Sequence, residues 1–313
     1  MRFLITAIGS MSADAVICSL RENFPGCEIT GTNLYPAEWL YEAGIVDATY
    51  KVPMATEVNY VESIADIIRA RNIDMVIPLT DPEVDVLSEN RETLEAFSAV
   101  LALCKNEVIS VCRDKELLYN RFTRHPGVQT IRSYSVSEVI EKDLNFPMVA
   151  KPKKGRSSEG LKYIASRKEL FLLDEKYMVQ EFIRGTIITV DFVRDPWNNT
   201  VCIPRKELIR SSNGAGLSVE IFRDKAIGEL INEIAEDLGI TGCMNIEFIH
   251  SGDSYYLMDI NPRFSAGIGF SKLAGYDFVK NHVNVFRKNK IEPVTEILTG
   301  IAAKHCKEYM LGH

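Results

Sequence analysis

A chain of 313 residues, 46% hydrophobic and 25% charged, has the composition of an ordinary globular protein and the length of two or three domains. Its net charge of -7 and isoelectric point near 5.4 argue against a nucleic-acid partner, because phosphate-backbone binding needs a basic field. Seven cysteines with no C-x-x-C pair suggest neither a disulfide framework nor a zinc site, and the five histidines include no H-E-x-x-H. The first residues, Met1 to Gly9, read as a core strand without the layout of a signal peptide, and no apolar run approaches bilayer length. A cytoplasmic protein is expected.

From Arg2 to about Val111, short apolar strands alternate with helices. The pattern predicts strands over Phe3 to Ile8, Glu28 to Asn33 and Met75 to Pro78, and helices over Ser12 to Asn23 and Tyr60 to Arg71. Strand, helix, strand at this spacing implies a parallel sheet covered on both faces, a Rossmann-like domain. Its first turn offers one glycine, Gly9, where a dinucleotide fingerprint wants three, so a nicotinamide-dependent enzyme is poorly supported. Asp81 and Glu83 follow the strand at the sheet's carboxyl edge, where α/β ligands sit; beside Pro82 they read equally well as helix-start acids. Near Cys112-Arg113-Asp114-Lys115 a helix begins. The strands then lie close together as far as about Asp195, which suggests an antiparallel α+β unit. An amphipathic helix from Asp224 to Leu238 leads through Gly239 into a final hairpin.

Four segments carry candidate chemistry. Phe146 to Pro152 is an apolar strand bearing Lys151, followed by a loop with Gly155, Ser157, Ser158 and Gly160; its amides and hydroxyls can cover phosphates, although glycine/serine hairpin loops are common. Tyr177 to Ile183 is a strand whose backbone near Glu181 and Ile183 offers a purine one donor and one acceptor, with Val179 and Phe182 to pack on the ring. Pro204 to Gly216 carries Arg205 and Arg210 before a glycine-bearing loop, either an acceptor pocket with a bidentate arginine or an exposed basic strand. Ser265-Ala266-Gly267 would form a second lining.

The fourth segment is the most informative. Between Met244 and His250, Ile246 and Phe248 point one way and Asn245 and Glu247 the other; between Tyr256 and Arg263, Met258 and Ile260 oppose Asp259 and Asn261. If Glu247 faces Asp259, the connecting loop must hold an odd number of residues, three or five. Oxygen ligands on adjacent strands suit Mg²⁺, which takes one or two carboxylates plus substrate phosphates. Pro262 ends the ladder and aims Asn261 and Arg263 beside Asp259. A solvated surface hairpin is the plainer alternative.

The order of these motifs resembles the ATP-grasp superfamily, in particular the branch of the carbamoyl-phosphate synthase large chain and its stand-alone carboxylate–amine ligase relatives. The resemblance implies an α/β and α+β chain: a Rossmann-like pre-ATP-grasp domain over about 1–110, then an ATP-grasp fold of two α+β subdomains over about 111–290 (a lid at about 115–182, a larger part at about 183–290) and a C-terminal extension over 291–313. By the same resemblance Lys115 and Lys151 contact ATP phosphates and Gly155 to Gly160 form the covering loop. Gln180, Glu181, Phe182 and Ile183 make the adenine hinge. Glu247, Asp259 and Asn261 match the magnesium positions, Arg263 the arginine that steadies the transferring phosphoryl group, and Asn245 a further polar site. Two departures stand out: Ile187 where the family carries a ribose-binding glutamate, with Asp191 a strand acid nearby, and Asp259 where many relatives have glutamate.

The activity implied is an ADP-forming carboxylate–amine or ammonia ligase working through an acyl phosphate. It would use ATP with one or two Mg²⁺ ions, Mn²⁺ able to substitute, and small-molecule carboxylate and amine substrates, with neither nucleic acid nor membrane as partner; a homodimer stays open. A nucleotide-binding regulatory module without turnover is the alternative that Ile187 suggests.

Overall fold

The computed structural model describes residues 1–155, 159–212 and 214–311. In chain order, the first part gives β1 (Arg2–Ile5), α1 (Ala13–Asn23), β2 (Glu28–Asn33), β3 (Ala48–Lys51), α2 (Tyr60–Arg71), β4 (Met75–Ile77), α3 (Asp81–Glu89), α4 (Arg91–Glu95), β5 (Val100–Leu101) and α5 (Asn106–Arg113). The middle gives α6 (Lys115–Phe122), β6 (Gln129–Thr130), β7 (Ser133–Ser135), α7 (Val136–Glu141), β8 (Met148–Pro152), β9 (Lys162–Ile164), α8 (Arg167–Leu170) and β10 (Tyr177–Glu181). The rest comprises β11 (Thr186–Arg194), β12 (Thr200–Arg210), β13 (Gly216–Ile221), α9 (Lys225–Leu238), β14 (Gly242–Ser251), β15 (Ser254–Asn261), α10 (Ile268–Leu273), α11 (Phe278–Phe286) and β16 (Gly300–Ala303).

Three sheets result. The first is parallel throughout, in the order β3-β2-β1-β4-β5. Its strands are apolar on both sides: Leu4 and Val76 pack with Ile64 and Ile68 of α2, while Phe3, Ile5 and Ile77 pack with Val16 and Leu20 of α1. This is the Rossmann-like arrangement the strand–helix alternation predicts. The second sheet, β7-β10-β8-β9, is antiparallel and has a small core of its own, Val136, Val139, Met148, Ala150, Ile164, Leu170 and Val179. The third has seven strands in the order β16-β13-β12-β11-β14-β15-β6.

Both large cores run across the chain's expected boundary near residue 110. Leu4 and Ile64 share one with Val190, Ile246 and Ile260; Phe3 and Val16 share the other with Val193, Phe264 and Phe278. The first and third sheets are therefore packed as one body, whereas the four-stranded sheet keeps a separate core. Strand β6, within the stretch expected to form the lid, instead edges the seven-stranded sheet beside β15, and β16 from the C-terminal extension edges it on the opposite side.

The hairpin of β14 and β15 differs from expectation in an informative way. Glu247 does face Asp259, but the turn is Gly252-Asp253, two residues, with Gly252 at a φ of 58°. The odd residue sits in the strand: Glu247 pairs with Asp259 and Phe248 with Leu257, so Met258 is bulged out of the ladder. Beyond the bulge the alternation flips. Leu257, not Met258, joins Ile260 in the core, and Met258 turns to the polar side.

Gly185, just before β11, lies against β14. A Cβ there would meet the His250 carbonyl oxygen at 2.4 Å, and a backbone atom cannot swing aside. Gly185→Ala should cost about 1–3 kcal/mol by overpacking, read as a lower urea midpoint at unchanged slope; an unshifted midpoint would show that the strands can part there.

Candidate active site

The antiparallel registers set side chains in rows on one face of the seven-stranded sheet. Arg205, Thr189, Glu247 and Asp259 stand directly opposite one another across β12, β11, β14 and β15; the next row holds Asp191, Asn245 and Asn261. Above this face lies a cavity of about 560 Å³. Lys115, Lys151 and Gly155 line it from the four-stranded sheet and α6, and Ser10, Ser12 and Asp81 from the first sheet. Glu247, Asp259, Asn261 and Arg263 form its floor, with Arg205, Arg210 and Gly216 at one end.

Local structure explains how the lysines arrive. The Asp114 side chain accepts from the amides of Glu116 and Leu117, fixing Lys115 as the first residue of α6, and Lys115 N donates to Lys153 O at 2.9 Å, tying that helix start to the end of β8. Lys115 Nζ lies 3.4 Å from Asp259 Oδ2 and donates to Gly155 O at 3.3 Å. Lys151 Nζ donates to Met258 O at 3.3 Å, on the bulge that re-aims that carbonyl.

Burial pushes the Lys151 ammonium down to about 8, with Lys115 adding to the shift and Asp259 and Glu247 opposing it. Glu247 is likewise pushed above the usual carboxylate range by burial, although Arg210 opposes the shift. A lowered lysine has a definite sign. Between about pH 8 and its ordinary 10.5 the unfolded chain holds the proton that the folded chain has lost, so this group's cost to stability, complete below pH 8, is relieved as pH rises. Phosphate binding needs the charged form. In the reading of Lys151 as a phosphate-binding residue, MgATP affinity of the free protein should therefore weaken by about tenfold per pH unit above 8 and lose that dependence in Lys151→Met, measured by calorimetry; a flat wild-type profile would contradict that reading.

The arginines are already engaged. Arg263 is held by Asp81, Nε to Oδ1 at 2.7 Å and Nη2 to Oδ2 at 3.0 Å. Arg210 Nη2 donates to Glu247 Oε1 at 2.6 Å and its Nε to Gly214 O at 2.7 Å. Arg205 is buried, with Asp191 at 2.5 Å, Glu207 at 3.3 Å and Ser265 Oγ at 3.0 Å; burial works against its charge, but Asp191 and Glu207 outweigh that and raise its pKa further. Neither the exposed basic strand nor a free bidentate clamp describes Arg205: it is a filled ion-pair centre in the cavity wall. Asp191, also bonded by Ser271 Oγ at 2.6 Å, is its anchor.

At the expected hinge, Gln180 is buried and its Nε2 donates to Ser133 Oγ at 2.7 Å; with Lys115, Lys151 and Met258 it lines a narrow cleft of about 10 Å³. Glu181 is exposed, 3.6 Å from Arg132, and Phe182, 43% exposed, meets Tyr163 edge-on at 5.6 Å. Glu181, Phe182, Ile183 and Gly160 are absent from the described walls of both cavities. Ser157 and Ser158 lie outside the described residues. Ile187 opposes Ile249, one row beyond Thr189 and Glu247, making that part of the face apolar.

Among the described residues no three His, Cys, Asp or Glu side chains come together as a metal cage. Glu247, Asp259 and Asn261 instead offer three oxygen-bearing side chains on neighbouring strands, a donor set that fits Mg²⁺ if phosphate oxygens and water complete its sphere. The half-buried Glu247 carboxylate, with its raised pKa, would gain from a nearby cation.

Sequence reading left the role of Asp81 open and missed Arg113, Thr189 and Glu207. Asp81 both opens α3 and faces the cavity, while Glu83 is turned inward onto Thr6, Tyr60 and Thr80. Arg113 had a signal in its nearness to Lys115; Glu207 had none.

Residues 174–309 match the family described as ATP-grasp in the biosynthetic pathway with Ter operon, and residues 4–103 match the PylC-like N-terminal domain. The carbamoyl phosphate synthase large chain of Thermoplasma volcanium is 24% identical over 302 residues, covering 86% of this chain and 28% of that protein. Tyramine–L-glutamate ligase of Methanocaldococcus jannaschii is 22% identical over 214 residues, covering 67% and 62%. This chain thus spans less than two thirds of the length of either relative. The biotin carboxylase domain of Hydrogenobacter thermophilus 2-oxoglutarate carboxylase, solved with MgADP and bicarbonate, superposes with a TM-score of 0.79 at 16% identity, over 96% of this chain and 73% of that one. Residues 174–309 are thus similar to an ATP-grasp family and residues 4–103 to the PylC-like N-terminal domain, and the carbamoyl phosphate synthase large chain is among the proteins this chain resembles. No helix among the described residues is long and apolar enough to cross a membrane.

Proposed function

We propose that the protein is an ADP-forming carboxylate–amine, or ammonia, ligase that uses ATP and Mg²⁺. The observation that carries this is the convergence of Lys115, Lys151, Glu247, Asp259 and Arg263 on one cavity. The ligase relative and the MgADP-bearing structural relative support it.

In this proposal Lys115 and Lys151 bind the phosphates, with Gly155, Ser157, Ser158 and Gly160 as further candidate phosphate contacts. Gln180, Glu181, Phe182 and Ile183 hold the adenine. Glu247, Asp259 and Asn261 hold Mg²⁺, which when bound neutralises phosphate charge; one or two ions, or Mn²⁺, would satisfy these ligands. A substrate carboxylate oxygen attacks the γ-phosphorus and ADP leaves, giving an acyl phosphate. An amine then attacks the acyl carbon, loses a proton to solvent, and phosphate departs. Arg263 meets the transferring group and Arg210 is the nearer candidate for the acceptor end, because Arg205 is filled by Asp191 and Glu207. The chain needs no nucleophile of its own for this chemistry.

Pooled carboxylates and amines should release ADP with a condensed product detected by mass. The apolar Ile187–Ile249 patch favours one competing reading, a nucleotide-binding module without turnover. Tight MgATP binding with no ADP under any pair would establish that one instead.

A further inference from the structure

Asp81 opens α3, beyond the carboxyl end of the N-terminal sheet, yet grips the arginine at the floor of the cavity. It lies at the carboxyl end of β4, is 2% exposed, and accepts from Arg263 through both oxygens. Its own position is fixed. Glu83, two residues on in the first turn of the same helix, accepts from Thr6 Oγ1 at 2.7 Å, Thr80 Oγ1 at 2.7 Å and Tyr60 OH at 3.1 Å, which pins the start of α3 to the end of β1 and the start of α2. Arg113 stands 3.7 Å from Asp81 but spends its fork on Asp85, at 2.8 and 3.1 Å, so it reinforces the carboxylate without displacing Arg263. Arg263 Nη1 also donates to Phe264 O at 3.1 Å. Of five guanidinium N–H donors, three are thus committed in a fixed plane and, among the described residues, the remaining two are left for a ligand in the cavity that Arg263 lines.

We propose that Asp81 is a positioning residue: it holds Arg263 in the orientation that meets the transferring phosphoryl group, which makes the N-terminal domain part of the catalytic geometry. This rests on the ligase function proposed above. A free arginine would have to give up several rotamers at each turnover; the bidentate clamp has already removed them.

The test is Asp81→Asn in the full chain, isosteric but without charge. With any substrate pair that supports turnover, kcat should fall by about 30-fold or more while KM for ATP stays within about threefold, because orientation and not nucleotide binding is lost. In ¹⁵N NMR, the Arg263 Nε–H signal, identified by its loss in Arg263→Lys, should be protected from solvent exchange in the wild type and unprotected in D81N. If D81N does not fold, Asp81→Ser, which suits a helix start, reads the same two quantities. A kcat within threefold of wild type, kcat and KM moving together, or an unprotected wild-type Nε–H would overturn the assignment. The NMR arm needs no turnover, so a wild type without ADP release defeats the ligase proposal while leaving the Asp81 clamp to be judged by exchange.

Discussion

Asp259→Asn is expected to lower ADP-forming turnover by about 10²–10³-fold with the fold unchanged. The substitution keeps the side chain's volume and removes its charge, and it does so where two other groups depend on that charge. Lys115 sits 3.4 Å away, and Asp259 leads the groups that keep Lys151 protonated against burial. In the variant Lys151 should titrate lower still, so the proposed phosphate binding near neutral pH weakens together with loss of the proposed metal ligand. Circular dichroism and the urea midpoint should stay near wild type, since Asp259 is not part of either apolar core. Turnover within a few-fold of wild type would remove Asp259 from the metal site.

Arg205→Met should act on stability first. Its guanidinium joins Asp191 and Glu207 in a buried wall where, among the described residues, Asp191 Oδ1 and Glu207 Oε2 already have no hydrogen-bond partner. Methionine fills similar space but leaves two buried carboxylates without their cation. Removing one partner of a buried ionic cluster costs about 3–5 kcal/mol, far more than an exposed pair returns. Urea denaturation is the measurement. A loss under about 1 kcal/mol would mean that the carboxylates take up protons or water readily, and would reopen Arg205 as a free substrate clamp.

What could be read from the sequence was local. The Tyr60–Arg71 helix follows from its apolar spacing, and α9 from Asp224 at its start and Gly239 at its left-handed end. The pairing of Glu247 with Asp259 follows from two alternating strands meeting at a turn. Patterns of this kind repeat every two or four residues, and the chain declares them wherever they occur.

The features that escaped depend on distance or on one irregular residue. Nothing in Tyr256 to Asn261 announces that Met258 bulges, because the same alternation allows a regular ladder with an odd loop; the choice between a bulge and a longer turn is settled by packing of Leu257 and Ile260 into a shared core. Arg263 and Asp81 are 182 residues apart, so no window of sequence joins them. Arg205 looked available because its acids, Asp191 and Glu207, lie one on the neighbouring strand and one on its own strand, at positions where any polar side chain would have suited an exposed ribbon. Burial, which turns such a pair into a filled cluster, belongs to the tertiary fold and not to strand periodicity.

The most direct measurement is a crystal structure of the full chain soaked with Mn²⁺ and a non-hydrolysable ATP analogue, with the metal located by its anomalous signal. Mn²⁺ should be coordinated by Glu247 and Asp259, and the triphosphate should run from it to Lys115 and Lys151. A nucleotide bound elsewhere, or anomalous density away from both carboxylates while the triphosphate is ordered, would contradict a catalytic centre on this sheet.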